Sequence, residues 1–171
     1  MSASDDRKTA MLDRVVDYLL DEGLSAASLR PLAKAAGTSD RMLLYYFKDK
    51  AELIETALEH GAARLTGVLT ERSAPEPLPL DELRPHLADV LMGDEFWPFM
   101  RLWLDIANQA ARGDPVCARV GERIGRGFHA WGAAQLKSDQ PDVDAARLLV
   151  QIEGMVLLKS LGLGDIADKA R

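Results

Sequence analysis

Residues 28–53 read SLRPLAKAAGTSDRMLLYYFKDKAEL, and their spacing predicts two short helices across a tight turn, with a third helix beginning at the end. Ser28 supplies an N-cap, and Pro31 falls in the first turn, where a missing backbone N–H does little harm. Leu29, Leu32, Ala33 and Ala36 recur at helical spacing and give the first helix one apolar face. Gly37 stands where a helix C-terminus wants positive φ, and Ser39 follows as the N-cap of the second helix. The chain therefore turns sharply at Ala36-Gly37-Thr38-Ser39.

In the second helix Leu43 and Phe47 lie one turn apart and face inward, which directs Asp40, Arg41, Leu44, Tyr45 and Lys48 outward. Such a face makes poor core and good groove surface, the pattern of a helix-turn-helix DNA reader. A recognition helix presents its N-terminal side chains to base edges while neighbouring groups hold phosphates. Arg41 suits a bidentate contact with guanine, and Leu44 suits a thymine methyl. Tyr45, Tyr46, Lys48 and Lys50 are the expected phosphate contacts, and Ser28, Arg30, Ser39, Asp40 and Met42 complete the candidate DNA-binding set. The alternative is a plain helical hairpin coated with tyrosine and lysine, which needs neither so short a turn nor two N-cap serines in this register.

From Arg7 to His60 the sequence resembles the N-terminal domain of TetR-type transcriptional regulators. The matching positions are Gly23, Ser28, Leu32-Ala33, Ala36-Gly37-Thr38-Ser39, Leu43, Tyr46-Phe47, Lys50 and Leu53. Leu44 replaces the tyrosine usual after Leu43, and Arg41 and Met42 replace small residues. These departures fall on the DNA-facing side and bear on operator sequence. The resemblance implies an all-α fold: a three-helix helix-turn-helix domain over residues 1–50, then a helical effector-binding and dimerisation domain over 51–171.

The 171 residues are 47% hydrophobic, enough for one good core or two small ones sharing a boundary. The formal net charge is −6, yet between residues 28 and 50 Arg30, Lys34, Arg41, Lys48 and Lys50 outnumber Asp40 and Asp49. An acidic body with a locally basic reader still releases counterions at phosphates and resists indiscriminate sticking. Cys117 is alone, so no internal disulfide is expected, and no Cys/His spacing resembles a zinc site. The start, Met-Ser-Ala-Ser-Asp-Asp, lacks signal-peptide blocks, and the most apolar run, Leu148 to Leu158, is interrupted by Gln151, Glu153 and Gly154. A cytoplasmic protein without membrane contact, metal or cofactor is the expectation.

Helix one is expected over about Asp6 to Glu22, through the stripe of Met11, Leu12, Val15, Val16, Leu19 and Leu20. Beyond Lys50 a long helix carries Leu53, Ile54, Ala57, Leu58, Leu65, Val68 and Leu69. Residues 73–80, with three prolines, read as a linker. Further helices are expected over 81–92, 95–112, 114–137 and 141–161, the last ended by Gly162 and Gly164.

The helix from Asp114 carries Gly121, Gly125 and Gly132, costly residues in a helix unless another helix approaches closely. The last helix is apolar over much of its girth and so needs two neighbours. The second neighbour is expected to be a partner subunit, with Val120, Ile124, Trp131, Leu149, Ile152 and Val156 in a four-helix interface; a monomeric core is the alternative. Phe96, Trp97, Phe99, Met100, Trp103 and Leu104 crowd one short segment. With Phe128 and Met155, and with Asn108, His129 and Gln151 as polar groups, they are expected to line a chamber for an apolar or aromatic effector, ordinary core packing being the alternative.

No catalytic constellation accompanies them. Gly125-Arg126-Gly127-Phe128-His129-Ala130 fits a dinucleotide-binding string but follows no strand, and Cys117 and His129 lie about three turns apart on one helix. The expected function is that of a DNA-binding transcriptional regulator, a ligand-responsive repressor of a palindromic operator, acting as a homodimer. The alternatives are the same fold governed by a protein partner or by nothing, and a small helical enzyme using the aromatic chamber.

Overall fold

The computed structural model describes residues 3–170, with side chains from residue 5 onward. Met1 and Ser2, the start of the stretch without signal-peptide blocks, lie outside the described residues. The elements run α1 (Ala3–Glu22), a 3₁₀ turn (Leu24–Ala26), α2 (Leu29–Ala35), α3 (Asp40–Tyr46), α4 (Lys50–Arg72) and α5 (Leu80–Met92). They continue with α6 (Trp97–Ala111), α7 (Pro115–Gln135), α8 (Pro141–Ser160) and α9 (Gly164–Asp168). The fold is all-α, a helix-turn-helix unit followed by a helical body, as the sequence predicts.

The turn between α2 and α3 is a closed hydrogen-bonded unit. Thr38 N–H donates to the Ala33 carbonyl at 2.9 Å and Gly37 N–H to the Lys34 carbonyl at 3.1 Å, the paired bonds that end a helix through a left-handed residue. Gly37 has φ 68°. A Cβ there would lie 2.6 Å from Arg14 Nη1, which itself donates to the Ala36 carbonyl at 3.3 Å. Ser39 Oγ then accepts from Met42 N–H and caps α3. Ser28 has the extended backbone of an N-cap, but its side chain makes no capping bond. One of the two N–H groups a cap serves belongs here to Pro31, which has none.

Two apolar clusters fill the interior. The first joins Val15, Val16 and Leu19 of α1 to Leu32, Leu43, Phe47 and Leu53, then extends to Leu102 and Ile106 of α6 and Val120 and Ile124 of α7. The second joins Leu65 and Leu69 of α4 to α5, Met100, and Leu148, Ile152 and Val156 of α8. Phe128 packs against both. The reader is therefore not a separate globule: its core runs directly onto α6 and α7. The α7 glycines serve close approach within the chain, a Cβ on Gly121 lying 3.4 Å from Ile106 and one on Gly132 lying 3.9 Å from Ala145.

The proline segment lacks a helix, as expected, but it is stitched down. Leu78 N–H donates to the Gln135 carbonyl at 2.9 Å, and Lys137 N–H donates to the Leu78 carbonyl at 2.8 Å. Gly162 ends α8 with φ 78°, yet the chain resumes a helix at Gly164 rather than stopping, and Ala167 packs into the second cluster. No helix among the described residues is long and apolar enough to cross a membrane.

Candidate nucleic-acid interface and effector chamber

On α3 the periodicity separates two jobs. Leu43 and Phe47 are sealed inside, and Lys8 Nζ sits 4.8 Å above the Phe47 ring. Asp40, Arg41, Leu44 and Tyr45 are exposed, Leu44 by 44% and Tyr45 by 77%. Ser28, Arg30, Ser39, Lys48 and Lys50 are exposed around them, while Met42 and Tyr46 are half-buried. Tyr45 meets Tyr46 edge to face at 5.2 Å, which limits where both rings can swing. The surface thus offers an Arg at the first turn of a rigid helix, apolar and phenolic groups behind it, and lysines beyond its end. Asp49 caps α4 by accepting from Glu52 N–H at 2.9 Å, while Glu52 accepts from Lys48 N–H at 2.6 Å. The lysine-bearing corner is thereby fixed to the first turn of α4.

A chamber of about 100 Å³ lies in the body, walled by α4, α5, α6, α7 and α8. Of the expected lining, Met100, Trp103 and Phe128 are on its wall, as is Phe99. Phe96 and Trp97 are not: Phe96 is buried under the Arg72 guanidinium at 4.9 Å, and Trp97 lies under Lys159 Nζ at 4.5 Å. Leu104 packs into the second cluster away from the chamber, and Met155 is core facing α9. Asn108 and Gln151 are exposed, and His129 Nε2 sits 3.0 Å from the Asp142 carbonyl. The helical period explains two of these corrections, since residues 97 and 104 lie to one side of the face that carries 99, 100 and 103, whereas Phe96 shares that face but stands ahead of the helix as its N-cap.

The expected dimer residues also require correction. Val120, Ile124, Ile152 and Val156 are buried inside the protomer, and Trp131 and Leu149 are half-buried on the chamber wall. A helix apolar on two sides does not announce which side meets its own core. In α8 the inward side is Leu148, Ile152, Met155 and Val156. The outward side carries Val150, Leu157 and Leu161, exposed by 71%, 51% and 65%.

Glu153 went unassigned in the sequence, although its break in the apolar run of α8 was visible. It lines the chamber and accepts a hydrogen bond from Trp103 Nε1 at 2.8 Å. Burial pushes its carboxyl above the usual glutamate range, against the opposing effect of the Trp103 bond. Trp131 Nε1 is committed elsewhere, donating to Thr70 Oγ1 at 3.0 Å.

Polar ties connect chamber and reader. Leu24 N–H, in the 3₁₀ turn after α1, donates to Asp105 Oδ2 of α6 at 3.1 Å, and Arg101 Nη2 of α6 donates to the Leu20 carbonyl near the end of α1 at 3.4 Å. His60 Nε2 of α4 lies 2.7 Å from Asp13 Oδ1, and Arg64 donates to Asp17 at 2.8 Å. Glu55 of α4 pairs with Arg119 and Arg123 of α7, and the Arg123 hydrogen bond holds its carboxyl below the ordinary value. Asp114 caps α7, its carboxyl lowered chiefly by the Cys117 backbone N–H it accepts. The Cys117 thiol is pushed up to about 11 by burial, then by the Asp114 charge, so it is not a ready nucleophile. Among the described residues no cluster of His, Cys, Asp and Glu could hold a metal ion.

The model of the bacterial regulatory proteins of the tetR family matches residues 16–57, which span the helix-turn-helix and the start of α4. The chain is 28% identical over 171 residues to the HTH-type transcriptional regulator BetI of Pseudomonas aeruginosa, covering 95% of this chain and 85% of that protein. A transcriptional regulator from Rhodococcus sp. Rha1 superimposes with TM-score 0.72 at 22% identity, over 94% of this chain and 89% of the other. FadR from Bacillus subtilis, in complex with stearoyl-CoA, gives TM-score 0.66 at 13% identity, over 94% of each chain. A regulator from Saccharomonospora viridis, in complex with choline, gives 0.60 at 18%, over 91% and 85%. The helix-turn-helix is thus similar in register to the tetR family of bacterial regulatory proteins, and the chain is similar to the transcriptional regulator BetI along nearly its whole length.

Proposed function

We propose that the protein is a cytoplasmic, homodimeric, ligand-responsive repressor whose two readers grip a palindromic operator. The observation that carries this reading is the division of α3, with Leu43 and Phe47 locked into the core and Arg41, Leu44 and Tyr45 presented to solvent. A helix anchored in this way docks as a rigid body, and its first-turn Arg41 reads base edges while Tyr45, Tyr46, Lys48 and Lys50 hold phosphates. Residues 1–50 act as the reader and 51–171 as the effector and dimerisation body, even though one apolar cluster crosses that boundary.

Dimerisation uses the outer stripe of α8. Val143, Arg147, Val150, Gly154, Leu157 and Leu161 are exposed at alternating spacings of four and three, the seam that pairs helices side by side. Gly127, Ala130 and Ala134 on α7 are exposed and small, which lets a partner helix approach. A two-fold pair of readers then matches half-sites about one helical turn or more apart. The chamber supports a small-molecule effector, as do structural neighbours that carry stearoyl-CoA and choline. An effector shifts the equilibrium only by its difference in affinity between DNA-competent and released forms.

Selection of bound fragments from random duplexes at several salt concentrations tests the proposal. A palindromic consensus with a steep salt slope is the expected result. A monomeric protein with no preference for any duplex at low ionic strength would end it.

A further inference from the structure

We propose that Arg14 of α1 sets the angle of the recognition helix α3, as a positioning residue for operator reading that touches no DNA itself. The proposal rests on the reading of α3 as the DNA reader and names what holds that helix in register.

Arg14 and Tyr18 stand one turn apart on α1, so both reach out from the same side of that helix. Tyr18 Oη donates to the Ala26 carbonyl at 3.4 Å, just ahead of α2, and Arg14 Nη1 donates to the Ala36 carbonyl at 3.3 Å, just behind it. One side of α1 therefore clasps the chain at both ends of α2. The second clasp lies next to the reader. The N–H groups of Ala36, Gly37 and Thr38 answer the carbonyls of Leu32, Lys34 and Ala33, but among the described residues no backbone N–H answers the Ala36 carbonyl. Its oxygen takes the guanidinium instead, a charge-assisted bond at the negative end of the α2 dipole. Gly37 leaves room for it, since a Cβ there would lie 2.6 Å from Nη1 and push the guanidinium away.

The clasp bears on reading because α3 is anchored at one end. Leu43 is its buried residue and Phe47 follows as the C-cap, whereas Asp40 and Arg41 at the base-reading end are exposed. Apolar burial of Leu43, Phe47 and the Ala36 methyl fixes how deep the helix sits, but such contacts are non-directional and fix its rotation poorly. The Arg14 bond is directional and acts on the peptide just ahead of the exposed end. A bidentate contact of Arg41 with a guanine edge demands fixed geometry, while charge attraction to phosphates does not. Loosening the clasp therefore costs discrimination between sequences and leaves general affinity for duplex intact.

Arg14→Met keeps the apolar stem and removes every donor. Fluorescence anisotropy of the full chain on the selected operator and on a scrambled duplex, across a salt series, tests it, with each affinity corrected for the folded fraction from a thermal melt. The operator-to-scrambled affinity ratio is expected to fall at least tenfold, with scrambled-duplex affinity within twofold of wild type and an unchanged salt slope. Arg14→Gln, whose amide stops short of the Ala36 carbonyl, is expected to do the same and stands in for a Met variant that fails to fold. An unchanged ratio overturns the proposal, and a purely structural bond gives that result once folding is corrected. A salt slope lowered by about 0.9, with both duplexes bound more weakly, also overturns it, because Arg14 would then be a phosphate contact. A wild type with no preference for any duplex sinks the reader assignment and the proposal together, whereas wild-type discrimination that survives in both variants sinks the proposal alone.

Discussion

Asp105 Oδ2 accepts the Leu24 N–H at 3.1 Å, and Asp105 stands two residues beyond Trp103 on the same helix. One element therefore carries both a ring of the chamber wall and the anchor of the turn that enters the reader. Gly23 is fitted to that anchor: its φ is 77°, and a Cβ would lie 2.8 Å from Asp105 Oδ2.

Asp105→Ala leaves a part-buried N–H without its acceptor, at a cost of about 1–2 kcal/mol. Gly23→Ala adds strain of about 1–2 kcal/mol from the left-handed backbone and displaces the carboxylate. Each is expected to lower the melting temperature by about 2–4 °C per kcal/mol and to shrink the effector-dependent change in operator affinity. Asp105→Asn, which retains an acceptor oxygen, should fall between. Unchanged melting and an undiminished effector response in both alanine variants would show that coupling runs through α4 alone.

The helix-turn-helix was legible because each local signal carries its own chemistry. Gly37 at positive φ, Ser39 as a cap and Leu43 with Phe47 as anchors act within a few residues and need no knowledge of the rest. The chamber was only half legible. Crowding of rings between 96 and 104 marked the right helix, but the direction of each ring depends on packing against α4, α7 and α8. Trp97 was free to settle under Lys159 instead. The outer stripe of α8 proposed for dimerisation was illegible for the same reason, since α8 carries two apolar sides and only the fold shows that Ile152 and Val156 are spent on the protomer. Glu153 was visible as an interruption, and its meaning required knowing that it points at Trp103.

Arg41 and Leu43 separate reading from folding on one helix. Arg41→Ala and Tyr45→Ala remove exposed side chains, so each should weaken operator binding by about 1–3 kcal/mol, roughly 5- to 150-fold. Melting and oligomeric state should hold, as surface changes usually stay within about 0.5 kcal/mol. Leu43→Ala should instead cost about 2–5 kcal/mol of stability. Fluorescence anisotropy with the selected operator, alongside thermal melts, checks both. Retained affinity in the Arg41 and Tyr45 variants would defeat the assignment of the reader face.

The outer stripe of α8 makes an equally separable forecast. Val150→Glu and Leu157→Glu place charge on exposed positions, so the protomer should keep its helical content while sedimentation shifts from dimer to monomer. Operator affinity should fall with it, because two readers no longer bind as one. Val156→Ala removes atoms from the protomer core and should cost about 0.5–2 kcal/mol without a specific effect on association at equal folded fraction. A double glutamate variant that still sediments as a dimer would move the interface elsewhere.

Glu153 gives the melting curve a pH signature. Its carboxyl is raised above 4.5 in the folded chain, chiefly by burial. A raised value means the folded state holds the proton more tightly, so this group's contribution is fully present below 4.5 and is lost as pH rises through the folded value. Glu153→Gln has no charge to bury. The variant should therefore melt above wild type at neutral pH, and the gap should close as pH falls toward 4.5. Parallel melts of the two proteins across the range decide it. A pH-independent gap, or a variant less stable than wild type at neutral pH, would mean that the carboxylate is not strained by its surroundings.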